Sequence, residues 1–259
     1  MKKVLGLVGA TLLFAGPALA ADLGKPVYKA APALTPVYNW SGFYIGINGG
    51  GAWESGDTRS VDWTSAGFDP GPGFSNSSNG KGIFGVQLGY NWQFPSNWVL
   101  GVEGDFDWTS LGQTNAAPLT FLGLPFGIAN TQVSDRTHWL ASLRGRVGYA
   151  MGQFLPYATA GVAWSKRDFD GFVQANSAAP GFTEPFSANS TSTGWVAGGG
   201  IEYMLLPNLL LRAEYLHYGF DNGKTIGIPE TAPLAGFPAF VTYGKTDVDV
   251  VRAGLSYKF

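Results

Sequence analysis

From Gly42 onward, apolar and polar positions alternate along the chain with a period of two. Phe43, Ile45 and Ile47 lead through small residues to Trp53, with Tyr44, Gly46 and Asn48 between them. Over 82–92, Phe84, Val86, Leu88, Tyr90 and Trp92 form one set and Ile83, Gly85, Gln87, Gly89 and Asn91 the other. Successive side chains of a strand point to opposite faces, so each segment predicts a strand with one apolar face. The same pattern predicts strands over 98–108, 139–149, 156–165, 195–203, 209–216 and 248–259. In the last of these, Val251, Ala253, Leu255, Tyr257 and Phe259 alternate with Val250, Arg252, Gly254, Ser256 and Lys258.

The connections have their own rhythm. Long polar stretches at 55–80, 110–134, 167–192 and 221–245 alternate with short turns at 93–97, 151–153 and 206–208. Eight strands of about ten residues, joined in this way, predict an all-β chain: a transmembrane eight-stranded antiparallel up-and-down barrel with four long extracellular loops and three short periplasmic turns. The final strand closes the barrel against the first, which removes an edge that would otherwise aggregate.

Which face meets solvent decides between a soluble and a membrane barrel. Nearly all charged strand residues fall in one set, and aromatics crowd the ends of the other. Eight strands enclose a bore that side chains only just fill, so the bulky set belongs outside. With odd strands running outward, Trp53, Phe106, Trp108, Trp139, Trp164, Trp195 and Tyr215 fall at the outer rim. Tyr90, Trp92, Trp98, Tyr149, Tyr203 and Tyr257 fall at the periplasmic rim, giving the two girdles of a membrane barrel.

Composition agrees with this assignment. Only 13% of residues are charged, against about 25% in ordinary soluble domains, while 15% are aromatic and 38 are glycine. No segment is long and apolar enough for a spanning helix. The chain has no cysteine and a net charge of −2, which excludes thiolate chemistry and gives no basis for nucleic acid as a partner. The start, Met1-Lys2-Lys3, an apolar run over 4–14, Gly16-Pro17 and Ala18-Leu19-Ala20, predicts a signal peptide over 1–20 that is cleaved before Ala21. Residues 21–40, with Pro26, Pro32 and Pro36, predict an extended periplasmic lead-in, and 41–259 the barrel.

The inward set carries the candidate chemistry. Glu103 and Asp105 face Arg144 and Arg146 on the next strand, Glu202 faces Arg212, and Glu214 faces Arg252. Buried charges need partners, and neighbouring strands supply them. Two readings stand: the network fills the bore, or its bridges open as a gate for small solutes.

Several segments resemble the small eight-stranded outer-membrane proteins of the opacity and OmpA-like class, and most closely the alphaproteobacterial surface-antigen "porin family protein" branch. They are Asn39-Trp40-Ser41-Gly42-Phe43-Tyr44-Ile45-Gly46, Gly200-Ile201-Glu202-Tyr203, Leu211-Arg212-Ala213-Glu214-Tyr215 and Arg252-Ala253-Gly254-Leu255-Ser256-Tyr257-Lys258-Phe259. The resemblance implies residence in the outer membrane, surface exposure, a role in envelope integrity and, in some members, haemin binding or weak pore activity. It also implies that the terminal Phe259 is read by barrel-assembly machinery. Outer-membrane lipid is the expected surroundings, and any surface ligand is expected at the four long loops.

Other signals are weaker. Gly80-Lys81-Gly82-Ile83-Phe84-Gly85 has the spacing of a dinucleotide fingerprint but leads into a strand, not a helix. His138 and His217, the only histidines, are candidate haemin ligands by their chemistry, and rim residues bonded to loops and water on the plainer reading. No nucleophile stands beside His217, so no enzyme, cofactor or metal site is expected.

Overall fold

The computed structural model describes residues 38–62, 74–77, 80–118, 129–175, 183–221, 224–228, 239–243 and 245–259. Eight strands form the staves of a closed barrel: β1 (Gly42–Asp62), β3 (Lys81–Gln93), β4 (Trp98–Pro118), β5 (Ala129–Tyr149), β6 (Phe154–Ala175), β7 (Thr183–Leu206), β8 (Leu209–Phe220) and β11 (Thr246–Lys258). Every neighbouring pair is antiparallel, and β11 pairs with β1 from Tyr44↔Lys258 to Gly56↔Thr246, closing the ring. Three short strands lie outside it: β2 (Phe74–Ser77), β9 (Lys224–Ile228) and β10 (Ala239–Tyr243). The predicted signal peptide and most of the lead-in lie outside the described residues.

The register sets the geometry of the bore. Cross-strand partners lead from Ile45 to Leu88, Gly104, Leu143 and Val162, then to Trp195, Gly219, Asp247 and finally Ser55. One circuit thus returns to β1 ten residues further along. For eight strands this stagger corresponds to a tilt of roughly 40°, at which the interior just accommodates side chains.

The wall separates its two faces along the predicted parity. Phe43, Ile45 and Ile47 on β1, Phe84, Val86 and Leu88 on β3, and Val251, Leu255 and Tyr257 on β11 are exposed on the outside. Ile47 is 63% exposed and Leu88 65%, values that only an apolar solvent tolerates over a whole wall. The aromatic rims are contacting clusters. Trp108 lies opposite Trp139 on the outer side, with Phe106 packed against both. At the other end Trp98 meets Tyr149 edge-on at 5.5 Å, and Tyr90 meets Trp92 at 4.5 Å. Trp53, Trp92 and Trp195 are exposed on the same face, and Trp164 is half-buried.

Two expectations need correction. The stretches 110–134 and 167–192 are not simply loops. β4 and β5 remain paired to Pro118↔Asn130, and β6 and β7 to Gln174↔Thr183, so these staves have 21 to 24 residues instead of about ten. The stretch 55–80 likewise holds the end of β1 and β2, and 221–245 holds β9 and β10. The cause is physical. Alternation appears only where the two faces meet different media, whereas the backbone ladder continues wherever partners remain in register. β-bulges between Trp108 and Leu111 and between Thr137 and Trp139 mark where the staves leave the girdle.

The lead-in also ends differently from the expectation. Trp40 is fully buried in the periplasmic mouth, where its indole N–H donates to the Gly152 carbonyl at 3.2 Å and its backbone N–H to Gln93 Oε1 at 2.8 Å. The turns beneath it use left-handed backbone at Asn97 (φ 65°) and Gly152 (φ 61°), as tight connections between staves require.

Candidate functional site

The lumen is stacked in layers. At the periplasmic end Trp40, Val99, Ala150, Leu155, Met204 and Leu210 form an apolar plug. On the outer side Ala52, Ile83, Leu111, Leu140, Ala163, Val196, Leu216, Tyr218, Phe220, Val248 and Val250 form a second one. Between them lie the charges. All eight predicted members, Glu103, Asp105, Arg144, Arg146, Glu202, Arg212, Glu214 and Arg252, are buried there.

Three ion pairs follow directly from register, because the partners are cross-strand neighbours: Glu103↔Arg144, Glu202↔Arg212 and Glu214↔Arg252. Arg144 Nη2 lies 2.5 Å from Glu103 Oε1, Arg212 Nη2 2.6 Å from Glu202 Oε1, and Arg252 Nη2 2.8 Å from Glu214 Oε2. Further bridges join residues that are not paired in register, most of them across the bore. Arg144 reaches Asp105 and Glu214, both at 2.9 Å, and Arg146 reaches Glu202 at 3.0 Å. Arg212 donates to both oxygens of Glu103, at 2.8 and 2.5 Å. Arg146 meets Glu103 at 3.5 Å, while the expected pairing of Arg146 with Asp105 is replaced by Arg144 and Arg252 at that carboxylate.

Neutral groups complete the network. Tyr44 donates to Glu103 at 2.5 Å, Tyr157 to Glu214 at 2.9 Å, and Ser142 to Asp105 at 2.6 Å. The Arg146 guanidinium also stacks 4.0 Å over the Tyr157 ring. Glycine makes the crossing possible: a β-carbon at Gly89 would collide with the Tyr44 hydroxyl, and one at Gly200 with the Tyr157 ring.

The structure adds a ninth ionic member, Asp107, whose Oδ2 accepts from Arg252 Nη1 at 2.5 Å. It is two residues beyond Asp105 on the same face, so strand parity alone was sufficient to include it. Tyr44 and Tyr157 also have inward parity, but nothing in a strand pattern says how far a side chain reaches across a bore. Beyond the outer apolar layer, buried Arg167 donates to Thr246 at 2.8 Å and faces Glu54 at 3.8 Å. Its position inside a predicted loop concealed this pair.

The outward-facing residues of the closing strand and the histidines lie outside the lumen. Val251, Leu255, Tyr257 and Phe259 face outward, and the Phe259 N–H donates to the Phe43 carbonyl at 2.9 Å. The Lys258 ammonium donates to the Asn39 carbonyl. His138 and His217 occupy different, non-adjacent staves. His138 Nε2 lies 3.0 Å from Asp168, and His217 Nδ1 lies 2.8 Å from Asp249, which also accepts from Tyr215 at 2.6 Å. The two imidazoles are not brought together. A groove on the outer wall is lined mainly by apolar residues, among them Trp92, Leu100, Val102, Val147, Ala158 and Ala160. Among the described residues, no group of three or more acidic, histidine or cysteine side chains is placed to hold a metal ion.

Comparison with known proteins agrees with this construction. Residues 8–259 match the family model described as outer membrane protein beta-barrel domain. The chain is 31% identical over its whole length to the 31 kDa outer-membrane immunogenic protein of Brucella melitensis, covering 100% of both chains. It is 28% identical to the 22 kDa outer membrane protein of Rhizobium leguminosarum bv. viciae, covering 74% of this chain and 72% of that one. Among solved structures it is similar to the outer membrane protein OprG from Pseudomonas aeruginosa, at 18% identity and a TM-score of 0.41, covering 85% of this chain and 96% of that one. A closed eight-stave barrel with an apolar outer wall, matched to the model over nearly its full length, identifies the chain as a member of the outer membrane protein β-barrel domain family, resident in the outer membrane.

Proposed function

We propose that the protein is a sealed outer-membrane barrel that contributes to envelope integrity and carries paired strands out to the cell surface. The observation behind this reading is the layered lumen: nine buried ionic side chains interlocked between two apolar plugs. A conducting path requires rearrangement of all three layers. Opening the ion pairs alone leaves both apolar layers in place, and an apolar constriction resists ions by dewetting.

The reading is tested in planar lipid bilayers. Refolded wild-type protein is expected to be silent, and an Arg144→Ala, Arg146→Ala variant that still folds is expected to stay silent. Stepwise conductance in the wild type would replace sealing with a narrow pore, and conductance in the variant alone would make the network a gate. Cells lacking the protein should become more sensitive to detergent, and restoring the wild-type chain should reverse this; unchanged sensitivity would remove the envelope role.

A second reading, ligand capture at the surface, draws support from the length of β4 to β7, which stay paired well beyond the outer girdle. Rigid extended sheets suit recognition of macromolecules. Haemin finds less support, since each imidazole already holds a carboxylate on its own stave pair. A haemin titration should therefore show no Soret shift that depends on His138 or His217.

A further inference from the structure

The lumenal network has one acid too many. Four guanidiniums, from Arg144, Arg146, Arg212 and Arg252, face five carboxylates, from Glu103, Asp105, Asp107, Glu202 and Glu214, and every one of the nine residues is at least nine-tenths buried. Among the described residues, the other buried cations are engaged elsewhere. Lys258 donates to Asn39 at the periplasmic mouth, and Arg167 faces Glu54 beyond the outer apolar layer.

Connectivity shows where the surplus falls. Glu103 meets three guanidiniums, and Asp105, Glu202 and Glu214 each meet two. Among the described residues, Asp107 meets the guanidinium of Arg252 alone, which it shares with Asp105 and Glu214. Asp107 is fully buried opposite Leu140, and its Oδ1 has no hydrogen-bond partner. It interacts with Asp105 on its own strand, Asn48 on β1, Tyr218 on β8 and Arg252 on β11, and beyond these Arg144 and Ser142 on β5 hold Asp105 and Glu214 on β8 holds Arg252. Two of these neighbours have bare oxygens of their own: Asn48 Oδ1 and the Tyr218 hydroxyl. An ionised carboxylate in such a place shares its one guanidinium with two other acids, and its desolvation is only partly offset.

We propose that the lumen binds one proton, held on Asp107 at neutral pH. Bound at Oδ1, it neutralises the carboxylate at its unpartnered oxygen, while Oδ2 keeps its bond from Arg252. The network then has equal numbers of positive and negative groups.

Infrared spectroscopy of refolded wild-type protein tests this directly. A carbonyl stretch of a protonated carboxyl is expected at neutral pH and should be lost in Asp107→Asn. Unfolding supplies a second readout. The native state binds a proton that the unfolded aspartate, with a pKa near 3.9, releases, so between about pH 5 and the approach to neutrality the wild-type unfolding constant should rise about tenfold per pH unit relative to the variant. Stability is lost as pH rises, because the proton belongs to the folded form. Absence of the band in the wild type overturns the proposal whether or not the variant folds. So do parallel pH dependences of wild type and variant, or a wild-type stability that follows sodium or potassium concentration instead of pH.

Discussion

Refolded into vesicles and titrated with urea, the Arg144→Ala protein should be about 3–5 kcal/mol less stable than the wild type, the usual cost of breaking a buried charge network by removing one partner. Arg144 is the hub of the network. Its guanidinium touches Glu103 and Asp105 on β4 and Glu214 on β8, and 1% of the residue is exposed. Truncation leaves three carboxylates with less positive charge in a compartment that lacks bulk water, so desolvation is no longer offset. A loss within the range of ordinary surface substitutions, about 0.5 kcal/mol, would mean that water or counter-ions reach the lumen and that the layered seal is open. Lysine at the same place is a poor rescue, since a single ammonium lacks the planar fork that reaches three acids at once.

Removal of Phe259 should have the opposite profile: a minor effect on the finished barrel and a several-fold drop in the amount that reaches the outer membrane of growing cells. In the folded protein this residue is 76% exposed, meets Tyr257 edge-on at 5.1 Å and gives one backbone hydrogen bond to Phe43. Those contacts are worth about 1 kcal/mol for the hydrogen bond and a similar amount for the ring pair. A residue that adds so little to the native state yet ends the closing strand fits a role in recognition before the barrel exists. Comparing urea stability of refolded protein with outer-membrane abundance in cells separates the two. Equal abundance with and without Phe259 would remove the assembly role, and a large loss of stability in vitro would make it a structural residue instead.

The residues show where sequence reading succeeds in such a barrel and where it stops. Parity from Phe43 to Ile47 or from Val251 to Phe259 is legible because lipid on one side and a packed lumen on the other impose a strict period of two. The same parity places Glu103, Asp105, Arg144 and Arg252 in one compartment. It does not show that Arg144 reaches Glu214 across the bore, because that contact depends on the ten-residue stagger and on side-chain length. Nor does it show Trp40 turned back into the mouth, since a single buried residue after a proline-containing stretch carries no period. Above the outer girdle lipid no longer covers the outer face, the alternation fades, and Arg167 reads as a loop residue although it stands on a paired strand.

Those outer strands have an evolutionary consequence. Between Leu111 and Pro118 on β4 and across to Asn130 on β5, the rungs are main-chain bonds, which every residue except proline supplies in the same way. Identity at such positions is only weakly tied to folding. The portion of the protein that faces outward can therefore change its side chains from lineage to lineage while the wall below stays constant.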